Sequence, residues 1–549
     1  MMILIVGGVA GGASAAARAR RLSKEAEIVM IERGSHPSFA NCGMPYYIGG
    51  TIESRNKLLV SPIERLRNRY RLDVRVRESV ESIDRAKKQV LIKRLDTGEE
   101  YTESYDKLIL APGAAPFKPP IPGIDLPGIY TLRNLEDADQ LAAATEGAER
   151  AVIIGGGFIG IEMAENLVHR GLETSLVELS PQILPPWDAE MVAPLEQLLR
   201  DRGVKLHLGD SATEFRQVGE GLEVVMNSGA TIMADFVVLS IGVRPENTLA
   251  VKAELDVAER GGIQVNRHQQ TSDADIYAVG DAIEVTDVVS GTPVQIPLAG
   301  PANRQGRIAA DHIFGRASQY RGTQGTAIVG LWDQGAAMTG LSEKVCQRLG
   351  LDYEKVYLHP GDHAGYYPGA TSMAMKILFD PTSGKLLGGQ VVGKRGIDKR
   401  VDVLAIALQA GMSVMDLEES ELAYAPQYGS AKDPINMAGF IASGVVRGDH
   451  PVAHSTQLVA DKLQDVTLLD VRTPEEFAAG AIPGSTNVPL DVLRNELNSI
   501  PKDKPVVAYC KVGQRGYMAT RILMLEGYDV RNLSGGYTTY TQVAAASKK

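Results

Sequence analysis

Two glycine-rich turns about 150 residues apart constrain the fold of this chain more than any other feature. In the second turn, the apolar residues 151–154 run directly into GGGFIG at 155–160, an unbroken G-x-G-x-x-G. Glycines at this spacing let the backbone approach a pyrophosphate at the N-terminus of the following helix. We expect that helix over 161–169 and a strand ending at Glu178, whose carboxylate would bind a ribose 2′-hydroxyl and repel a 2′-phosphate. The pattern therefore predicts NADH rather than NADPH at this turn.

The first turn, GGVAGG at 7–12, repeats the arrangement in a weaker form. It follows an apolar strand and precedes a helix expected over 13–22, and Glu32 ends the next strand. Val9 replaces the middle glycine, so this copy alone leaves open a turn of structural use only. Two such turns in this order predict two bound dinucleotides and an α/β fold in which one dinucleotide-binding domain is inserted into another.

Short apolar strands that end in tight turns occur twice more, in YDKLILAPG at 105–113 and ADIYAVGD at 274–281. With the two glycine turns, these stretches resemble the flavoprotein pyridine nucleotide-disulfide oxidoreductases over about residues 1–445. The resemblance implies FAD at the first turn and NADH at the second. The implied FAD contacts are Gly7, Gly12, Glu32, Gly280 and Asp281. The implied NADH contacts are Gly155, Gly157, Gly160 and Glu178.

A single cysteine, Cys42, stands in SFANCGMPYY at 38–47, just after the first strand–helix–strand unit. Tyr47 lies five residues on, where the two-cysteine members of the family carry their second cysteine. Ala10 takes the place of the histidine that the peroxide and oxygen reductases carry in their first turn. The stretch instead resembles the coenzyme A-disulfide reductases, which share S-F-A-N-C-x-x-P-Y. A lone thiol beside a flavin can store electrons only by pairing with sulfur from outside the protein, so we expect a sulfur-reducing flavoenzyme.

The same resemblance implies a coenzyme A site. Ser14 and Arg21 match coenzyme A-contacting positions on the first helix, and Arg18 lies on the same helical face, where arginines could pair with phosphates. A solvated arginine face is the alternative interpretation of this helix. The implied contacts are Ser14, Arg18, Arg21, Ser38, Asn41 and Lys432.

Residues 321–447 resemble the dimerisation domain of the family, which implies a homodimer. Tyr367 and Tyr424 match tyrosines that reach the cysteine of the partner subunit in coenzyme A-disulfide reductases. Tyrosines that only fill a dimer interface are the alternative. Cys346 lies in a helical stretch at 342–349 with no charged constellation expected nearby, so we expect a packed thiol there.

The C-terminal residues begin a new domain after an expected linker at 448–451 and the polar residues that follow. A strand at 506–509 delivers Cys510 into the loop CKVGQR, ahead of a helix expected over 517–525. The region resembles a single rhodanese domain. A loop of inward-pointing N–H groups at a helix N-terminus favours an anionic sulfur, and Arg515 would add positive charge. We therefore expect Cys510 to carry sulfur.

Composition narrows the class further. The net charge of −10 argues against a general nucleic-acid binder, and three cysteines are too few and too widely spaced for a disulfide scaffold or a CxxC metal site. The chain opens on a strand rather than a signal peptide and has no run of ~20 apolar residues, so we expect a cytoplasmic protein with neither membrane span nor metal. The expected domains are the FAD-binding domain in two parts (1–115 and 246–320), the NAD-binding domain (116–245), the dimerisation domain (321–447) and the rhodanese domain (455–549).

These observations predict an NADH-dependent FAD enzyme that reduces persulfide and polysulfide S–S bonds, including coenzyme A persulfide, at Cys42. The rhodanese domain favours this substrate class, because a rhodanese moves sulfane sulfur and a pure disulfide reductase would not need one. Two alternatives remain open. Coenzyme A disulfide could be the main substrate, or the chain could be a redox-sensing or sulfur-relay protein with slow turnover.

Overall fold

The computed structural model describes residues 1–547, and its internal contacts divide the chain into two units. The first unit comprises Met1–Leu179 and Gly203–Thr323, and the second comprises Ser180–Arg202 and the chain from Gln324 onward. Both are mixtures of helices and strands, as the α/β prediction requires. Every helix formed by residues 1–547 is too short or too polar to span a bilayer.

A five-stranded parallel sheet in the first unit carries the first glycine turn. Across the sheet, its strands are Ile276–Ala278, Lys107–Leu110, Met2–Val6, Glu27–Glu32 and Asp73–Val76. The central strand is almost entirely buried, as is typical of parallel strands covered on both faces. The edge strand Ile276–Ala278 comes from far along the chain, as an inserted domain between the two parts would require.

A second five-stranded parallel sheet in the same unit carries the second glycine turn. Across the sheet, its strands are Lys205–Leu208, Glu173–Glu178, Arg150–Ile154, Phe236–Leu239 and Ile129–Thr131. The helices of the first unit are Ala10–Leu22, Met44–Ile48, Ile63–Tyr70, Leu135–Ala144, Phe158–His169, Thr248–Lys252 and Ala299–Ile313, with short 3₁₀ helices at Asn41–Gly43, Arg55–Leu58 and Gly280–Ala282.

Smaller antiparallel sheets complete the first unit. Two have three strands: Glu78–Asp84, Gln89–Arg94 and Glu100–Ser104 in one, and Ala212–Val218, Gly221–Met226 and Thr231–Ala234 in the other. Two are pairs: Ala114–Pro116 with Val243–Pro245, and Val285–Thr286 with Pro293–Val294.

The second unit contains an antiparallel sheet and a parallel sheet. The antiparallel strands, in order, are Ala327–Leu331, Gln334–Gly340, Leu386–Gly393, Met373–Phe379 and Glu354–Leu358. The parallel strands, in order, are Val452–Ala453, Val530–Leu533, Val506–Tyr509, Thr467–Asp470 and Thr486–Asn487. The helices are Ala189–Asp201, Glu343–Leu349, Ile397–Ala410, Val414–Glu418, Pro434–Val446, Ser455–Val459, Pro474–Ala478, Gln514–Leu525 and Gly536–Ser547, with 3₁₀ helices at Leu493–Asn495 and Leu497–Ser499.

Three helices begin three residues earlier than the sequence predicts, at Ala10, Phe158 and Gln514. In each case the glycine-containing loop supplies the first helical turn instead of preceding it. The free N–H groups of these first turns therefore lie inside the loops where we expected bound anions.

The expected linker before the rhodanese domain is wrong in its second half. The strand Val452–Ala453 pairs with Val530–Leu533, and His450 is only 5% exposed. His450 is hydrogen-bonded on both sides, through its N–H to the oxygen of Gly444 and through its ring to Asn532.

Candidate active sites

A cavity of about 900 Å³ in the first unit brings together residues from distant parts of the chain. Its walls include Gly7, Glu32, Cys42, Gly280 and Asp281. All five were selected from sequence, four as FAD contacts and Cys42 as the reactive thiol. The cavity is therefore the candidate flavin and redox site.

The first glycine turn is built so that only glycine fits. Gly7 has φ +95°, and a Cβ added there would lie 2.1 Å from the carbonyl oxygen of Ala111. A Cβ on Gly12 would lie 1.9 Å from the oxygen of Gly7. Glu32 accepts a hydrogen bond from the N–H of Gly8 at 2.8 Å, which fixes its carboxylate beside the turn. These features fit a dinucleotide, with backbone N–H groups for the pyrophosphate and an acid for the ribose.

The second turn has the same construction. A Cβ on Gly160 would lie 1.9 Å from the oxygen of Gly155, whereas the space beyond Gly157 is open for 4 Å. Glu178 accepts a hydrogen bond from the N–H of Gly156 at 2.6 Å. The open side at Gly157 leaves room for a pyrophosphate, so the residues present also fit NADH.

Cys42 lies in the 3₁₀ helix Asn41–Gly43 and is exposed on the cavity wall. Burial on its protein side raises the pKa of the thiol, and the carboxylate of Glu162 raises it further. On balance, the protein's own groups around Cys42 therefore raise the pKa of the thiol. The helix that follows, Met44–Ile48, has only five residues and does not offset the burial.

Glu162 is a site residue that the sequence analysis missed. It lies in the helix Phe158–His169, where burial raises its pKa to about 7, helped by the neighbouring charge of Glu165. A carboxyl group with this pKa can hold a proton at neutral pH, close enough to influence Cys42. An acid in a largely apolar helix directly after a glycine turn was the available sequence signal.

The three candidates on the first helix are already engaged within the protein. The Ser14 hydroxyl donates to Asn303 Oδ1 at 2.6 Å, and Arg21 Nε donates to the backbone oxygen of Ala17. Arg18 forms an ion pair with Asp311 at 2.6 Å, and both side chains are mostly buried. The Arg18 side chain is therefore neither solvated nor free to bind a phosphate in this structure.

The two candidates next to Cys42 are held by backbone contacts. Ser38 has φ +55°, an unusual conformation for a residue other than glycine, and its N–H donates to the oxygen of Gly8. Asn41 Nδ2 donates to the oxygen of Arg133 at 3.2 Å. The hydrogen bond of Ser38 therefore fixes the loop before Cys42 against the glycine turn.

The tyrosines of the second unit form an exposed cluster. The Tyr424 hydroxyl lies 2.6 Å from the hydroxyl of Tyr366, whereas the Tyr367 ring packs edge-on against His363. Tyr366 is 75% exposed and was missed, because sequence offered no means of choosing between two adjacent tyrosines. Lys432, the remaining coenzyme A candidate, lies over the ring of Phe440 at 6.0 Å.

Cys510 lies at the end of the strand Val506–Tyr509 and just before the helix Gln514–Leu525. The N–H of Gly513 donates to its Sγ at 3.2 Å. Arg515 makes two hydrogen bonds of 2.7 Å to Glu476, and these, together with its proximity to Cys510, raise the pKa of its guanidinium. Glu476 was missed from sequence, since it lies on a different helix.

Cys346 is fully buried, which confirms the packed thiol. The expectation that no charged groups lie nearby is wrong, however. Lys376 Nζ contacts three carboxylates, those of Asp188, Glu190 and Glu343, at 2.6 to 2.8 Å. Burial raises the pKa of Cys346 to about 11, and two of these carboxylates contribute.

The comparisons with known proteins agree with this arrangement of domains. Residues 1–306 match the model of the pyridine nucleotide-disulphide oxidoreductases, and residues 327–433 match the dimerisation domain of that family. Residues 455–542 match the rhodanese-like domain. The chain belongs to the pyridine nucleotide-disulphide oxidoreductase family, and the predicted fold class and resemblance are confirmed.

Individual relatives cover most of the chain. The coenzyme A disulfide reductase of Staphylococcus epidermidis is 35% identical over 443 residues, which are 80% of this chain and 99% of the relative. Solved structures also match nearly the whole chain, as two examples show. Reduced Bacillus anthracis CoADR-RHD has a TM-score of 0.97 and 48% identity, covering 99% of this chain and 98% of that one. The NAD-dependent persulfide reductase from A. fulgidus has a TM-score of 0.92 and 35% identity, covering 98% and 100%.

Proposed function

We propose that this protein is an NADH-dependent FAD enzyme that reduces the S–S bonds of persulfides and polysulfide, including coenzyme A persulfide, at Cys42. One observation carries the proposal: Cys42 shares the wall of a single cavity with Gly7, Glu32, Gly280 and Asp281. The similarity to an NAD-dependent persulfide reductase that also aligns over the C-terminal domain supports the same substrate class.

The two glycine turns would bind the cofactors. Gly7, Gly12, Glu32, Gly280 and Asp281 would hold FAD. Gly155, Gly157, Gly160 and Glu178 would hold NADH. When bound, the two cofactors supply an electron pair from the nicotinamide through the flavin to Cys42.

Cys42 performs the sulfur chemistry in this proposal. As a thiolate it attacks the inner sulfur of a persulfide R–S–SH, the S–S bond breaks, and hydrosulfide leaves with the electron pair. Cys42 is then joined to R–S in a mixed disulfide. Two electrons return the Cys42 thiolate and release R–S⁻, which takes one proton. Glu162, with a pKa of about 7, is positioned in the same region to hold that proton.

The coenzyme A and dimer contacts stay proposals from the resemblance. Ser14, Arg21, Ser38, Asn41 and Lys432 would contact coenzyme A, and Arg18 would do so only if its ion pair with Asp311 opened. We place the protein in the cytoplasm as a homodimer. In that dimer, Tyr367 and Tyr424 would reach the cysteine of the partner subunit. The exposed hydroxyl pair adds Tyr366 to that set.

Cys510 would be a sulfur carrier in its own right. Its Sγ accepts a hydrogen bond from Gly513, and Arg515 lies close by, so an anionic persulfide there would be stabilised. Sulfane sulfur is the common substrate class of the two cysteines, which is why we prefer it to a simple disulfide.

The test is anaerobic steady-state NADH oxidation by the purified protein with each substrate in turn. We expect kcat/KM for polysulfide or coenzyme A persulfide to exceed that for coenzyme A disulfide. The reverse order would establish the second candidate, a coenzyme A disulfide reductase, which the Staphylococcus epidermidis relative favours. Rapid flavin reduction by NADH without rapid reoxidation by any of these substrates would indicate a slow redox-sensing or relay protein.

A further inference from the structure

The sulfur of Cys510 is connected to groups that lie outside the rhodanese-like match at 455–542. The first connection starts at Gly513, whose N–H donates to Cys510 Sγ at 3.2 Å. The oxygen of Gly513 accepts a hydrogen bond from Asn532 Nδ2 at 3.1 Å. Asn532 is 2% exposed and packs so tightly that a Cβ on Gly516 would lie 2.3 Å from its Oδ1. Asn532 therefore has little freedom to move independently of the Cys510 loop.

Asn532 is in turn held by His450, which precedes the rhodanese-like match. Asn532 Nδ2 also donates to His450 Nε2 at 2.9 Å, and the His450 ring packs against that of Tyr517 with centroids 4.3 Å apart. Burial, reinforced by Arg521, lowers the pKa of His450 to about 4. The ring is therefore neutral at physiological pH, and Nε2 has a lone pair available to accept.

His450 itself is bound to the preceding domain. Its N–H donates to the oxygen of Gly444, in the helix Pro434–Val446, at 3.0 Å. A continuous series of hydrogen bonds thus runs from that helix through His450, Asn532 and Gly513 to Cys510 Sγ. Its members are backbone groups or buried side chains with few alternative rotamers, so displacement of one end displaces the other.

A second connection joins the dimerisation domain to the Cys510 loop through residues that follow the loop in the sequence. The N–H of Tyr357, in the strand Glu354–Leu358 of the dimerisation domain, donates to Ser534 Oγ at 2.9 Å. A Cβ on the next residue, Gly535, would lie 2.8 Å from Tyr357 Cβ. A Cβ on Gly536 would lie 2.4 Å from the oxygen of Cys510. Only a glycine pair can fill the gap between the dimerisation strand and the Cys510 loop.

We propose that His450, in the segment just before the rhodanese-like match, and Tyr357, in the dimerisation domain, are positioning residues for the sulfurtransferase loop, and that the Cys510 loop reaches its sulfur-carrying geometry only with both contacts in place. The proposal rests on the proposed function of Cys510. It assigns to the reductase part a second role, as the support of a sulfurtransferase site that does not use its cofactors.

The reaction to measure is sulfur transfer from thiosulfate to cyanide. The Cys510 thiolate attacks the outer sulfur of thiosulfate, the S–S bond breaks, and sulfite leaves with the electron pair. Cyanide then takes the terminal sulfur as thiocyanate, which regenerates the thiolate. No external oxidant or reductant is needed.

The variants are His450→Ala, His450→Gln and His268→Ala in the full-length holoprotein. Loss of the His450 acceptor should lower kcat/KM for sulfur transfer about tenfold, the cost of one or two hydrogen bonds. It should also lower several-fold the rate at which iodoacetamide labels Cys510 at neutral pH, because the geometry of the loop around the sulfur is disturbed. His450→Gln restores an acceptor at the position of Nε2 and should recover most of both values.

His268→Ala is the control. His268 is a partly buried histidine of the first unit, its Nδ1 lies 2.9 Å from the oxygen of Ser318, and its ring stacks on that of His312. Among the described residues, no hydrogen bond or ring contact joins it to Tyr357 or to the Cys510 loop. We expect sulfur transfer within about twofold of wild type for this variant. Ser534→Ala tests the second connection and should lower sulfur transfer less than His450→Ala, because the glycine packing remains.

The outcomes separate this inference from the proposed function. Unchanged sulfur transfer and labelling in His450→Ala would overturn the positioning role, as would an equal loss in His268→Ala. A wild-type protein without sulfur transfer would overturn the proposed function of Cys510. In that case slower labelling of Cys510 in His450→Ala would still support the positioning role, and an unchanged labelling rate would overturn it. NADH-dependent polysulfide reduction should be equal in all variants and reports that they are folded.

Discussion

The two cysteines to which we assign sulfur chemistry lie in different electrostatic surroundings. Cys42 is exposed on the wall of a large cavity, where burial on its protein side and the carboxylate of Glu162 raise the pKa of the thiol. Cys510 is 1% exposed, accepts a hydrogen bond from the Gly513 N–H and has the Arg515 guanidinium close by. A carboxylate therefore lies near the first sulfur, whereas a hydrogen-bond donor and a positive charge lie near the second.

The two sites therefore support sulfur chemistry in different ways. The Cys510 loop is assembled entirely from protein groups, so its sulfur chemistry requires only the correct loop geometry. The protein groups around Cys42 provide space, a proton-holding carboxyl group and an open face, and the residues around it fit a dinucleotide. Sulfur transfer at Cys510 should therefore respond mainly to variants of its loop. The reaction at Cys42 should respond mainly to variants that alter the charge near the thiol.

The largest expected effects come from exchanging each sulfur for oxygen. Cys42→Ser should lower NADH-dependent polysulfide reduction at least about 1000-fold, since the nucleophile is lost, and leave thiosulfate sulfur transfer unchanged. Cys510→Ser should do the reverse and leave flavin reduction by NADH intact. Steady-state assays of both reactions on both variants provide the measurement. Normal polysulfide reduction by Cys42→Ser would contradict the assignment of the site.

Arg515→Ala should have the next largest effect. Removing the guanidinium leaves the anionic sulfur at Cys510 with fewer donors, so sulfur transfer should fall by roughly 100-fold, as when one oxyanion donor is removed. Glu476→Gln is the informative control. This substitution weakens the ion pair that positions Arg515 but leaves the guanidinium charge in place. The loss of sulfur transfer should therefore be several-fold smaller than in Arg515→Ala. Equal losses in the two variants would mean that the ion pair matters only for loop structure.

Glu162→Gln should produce a smaller, pH-dependent change at Cys42. In wild type, Glu162 ionises as pH rises through about 7 and then opposes formation of the Cys42 thiolate. The glutamine variant should therefore shift the labelling profile of Cys42 to lower pH by about half a unit to one unit. Labelling of the Cys42 peptide at a series of pH values, quantified by mass spectrometry, tests this. Labelling of Cys510 should not shift.

The same substitution has a consequence for stability. The folded pKa of Glu162 is raised above its ordinary value of 4.5, so its protonated form favours the folded state. That contribution is complete below about pH 4.5 and is lost as pH rises through about 7. Wild type should lose a few degrees of Tm relative to Glu162→Gln between about pH 5 and pH 8. Parallel Tm curves for the two proteins would exclude the raised pKa.

The smallest expected effect is at the third thiol. Cys346→Ala should leave both activities within about twofold of wild type, and its cost should be about 1 kcal/mol in the free energy of unfolding, because a buried sulfur is lost. Thermal unfolding and the two activity assays measure it. A large loss of either activity would mean that sulfur chemistry in this chain is not confined to Cys42 and Cys510.

Local sequence patterns predicted the features whose geometry depends on consecutive residues. Gly7, Gly12, Gly155 and Gly160 were selected from spacing alone, and each lies where an added Cβ would clash with a carbonyl oxygen. The strand-end acids Glu32 and Glu178 were found in the same way. In each case the strand, the turn and the helix are consecutive, so the spacing of residues along the chain determines their spacing in space.

Partners on distant elements were missed for the converse reason. Glu476 lies 39 residues from Arg515, and Tyr366 lies 58 residues from Tyr424. Nothing in a single sequence marks such pairs, since each depends on how separate elements pack. Glu162 was missed for a related reason, because the helix that brings its carboxylate near Cys42 comes more than 100 residues later in the chain.

The amino-acid sequence by itself determined the family and the order of its domains, and it marked the two glycine turns and the two candidate cysteines, because each is encoded in short contiguous patterns of glycine, acid and cysteine. Only the tertiary structure decided the electrostatic character of each thiol and the connection of the Cys510 loop to the reductase part. Charge interactions and hydrogen bonds depend on distances of a few ångströms between groups that are far apart in sequence, and those distances exist only after the chain has folded.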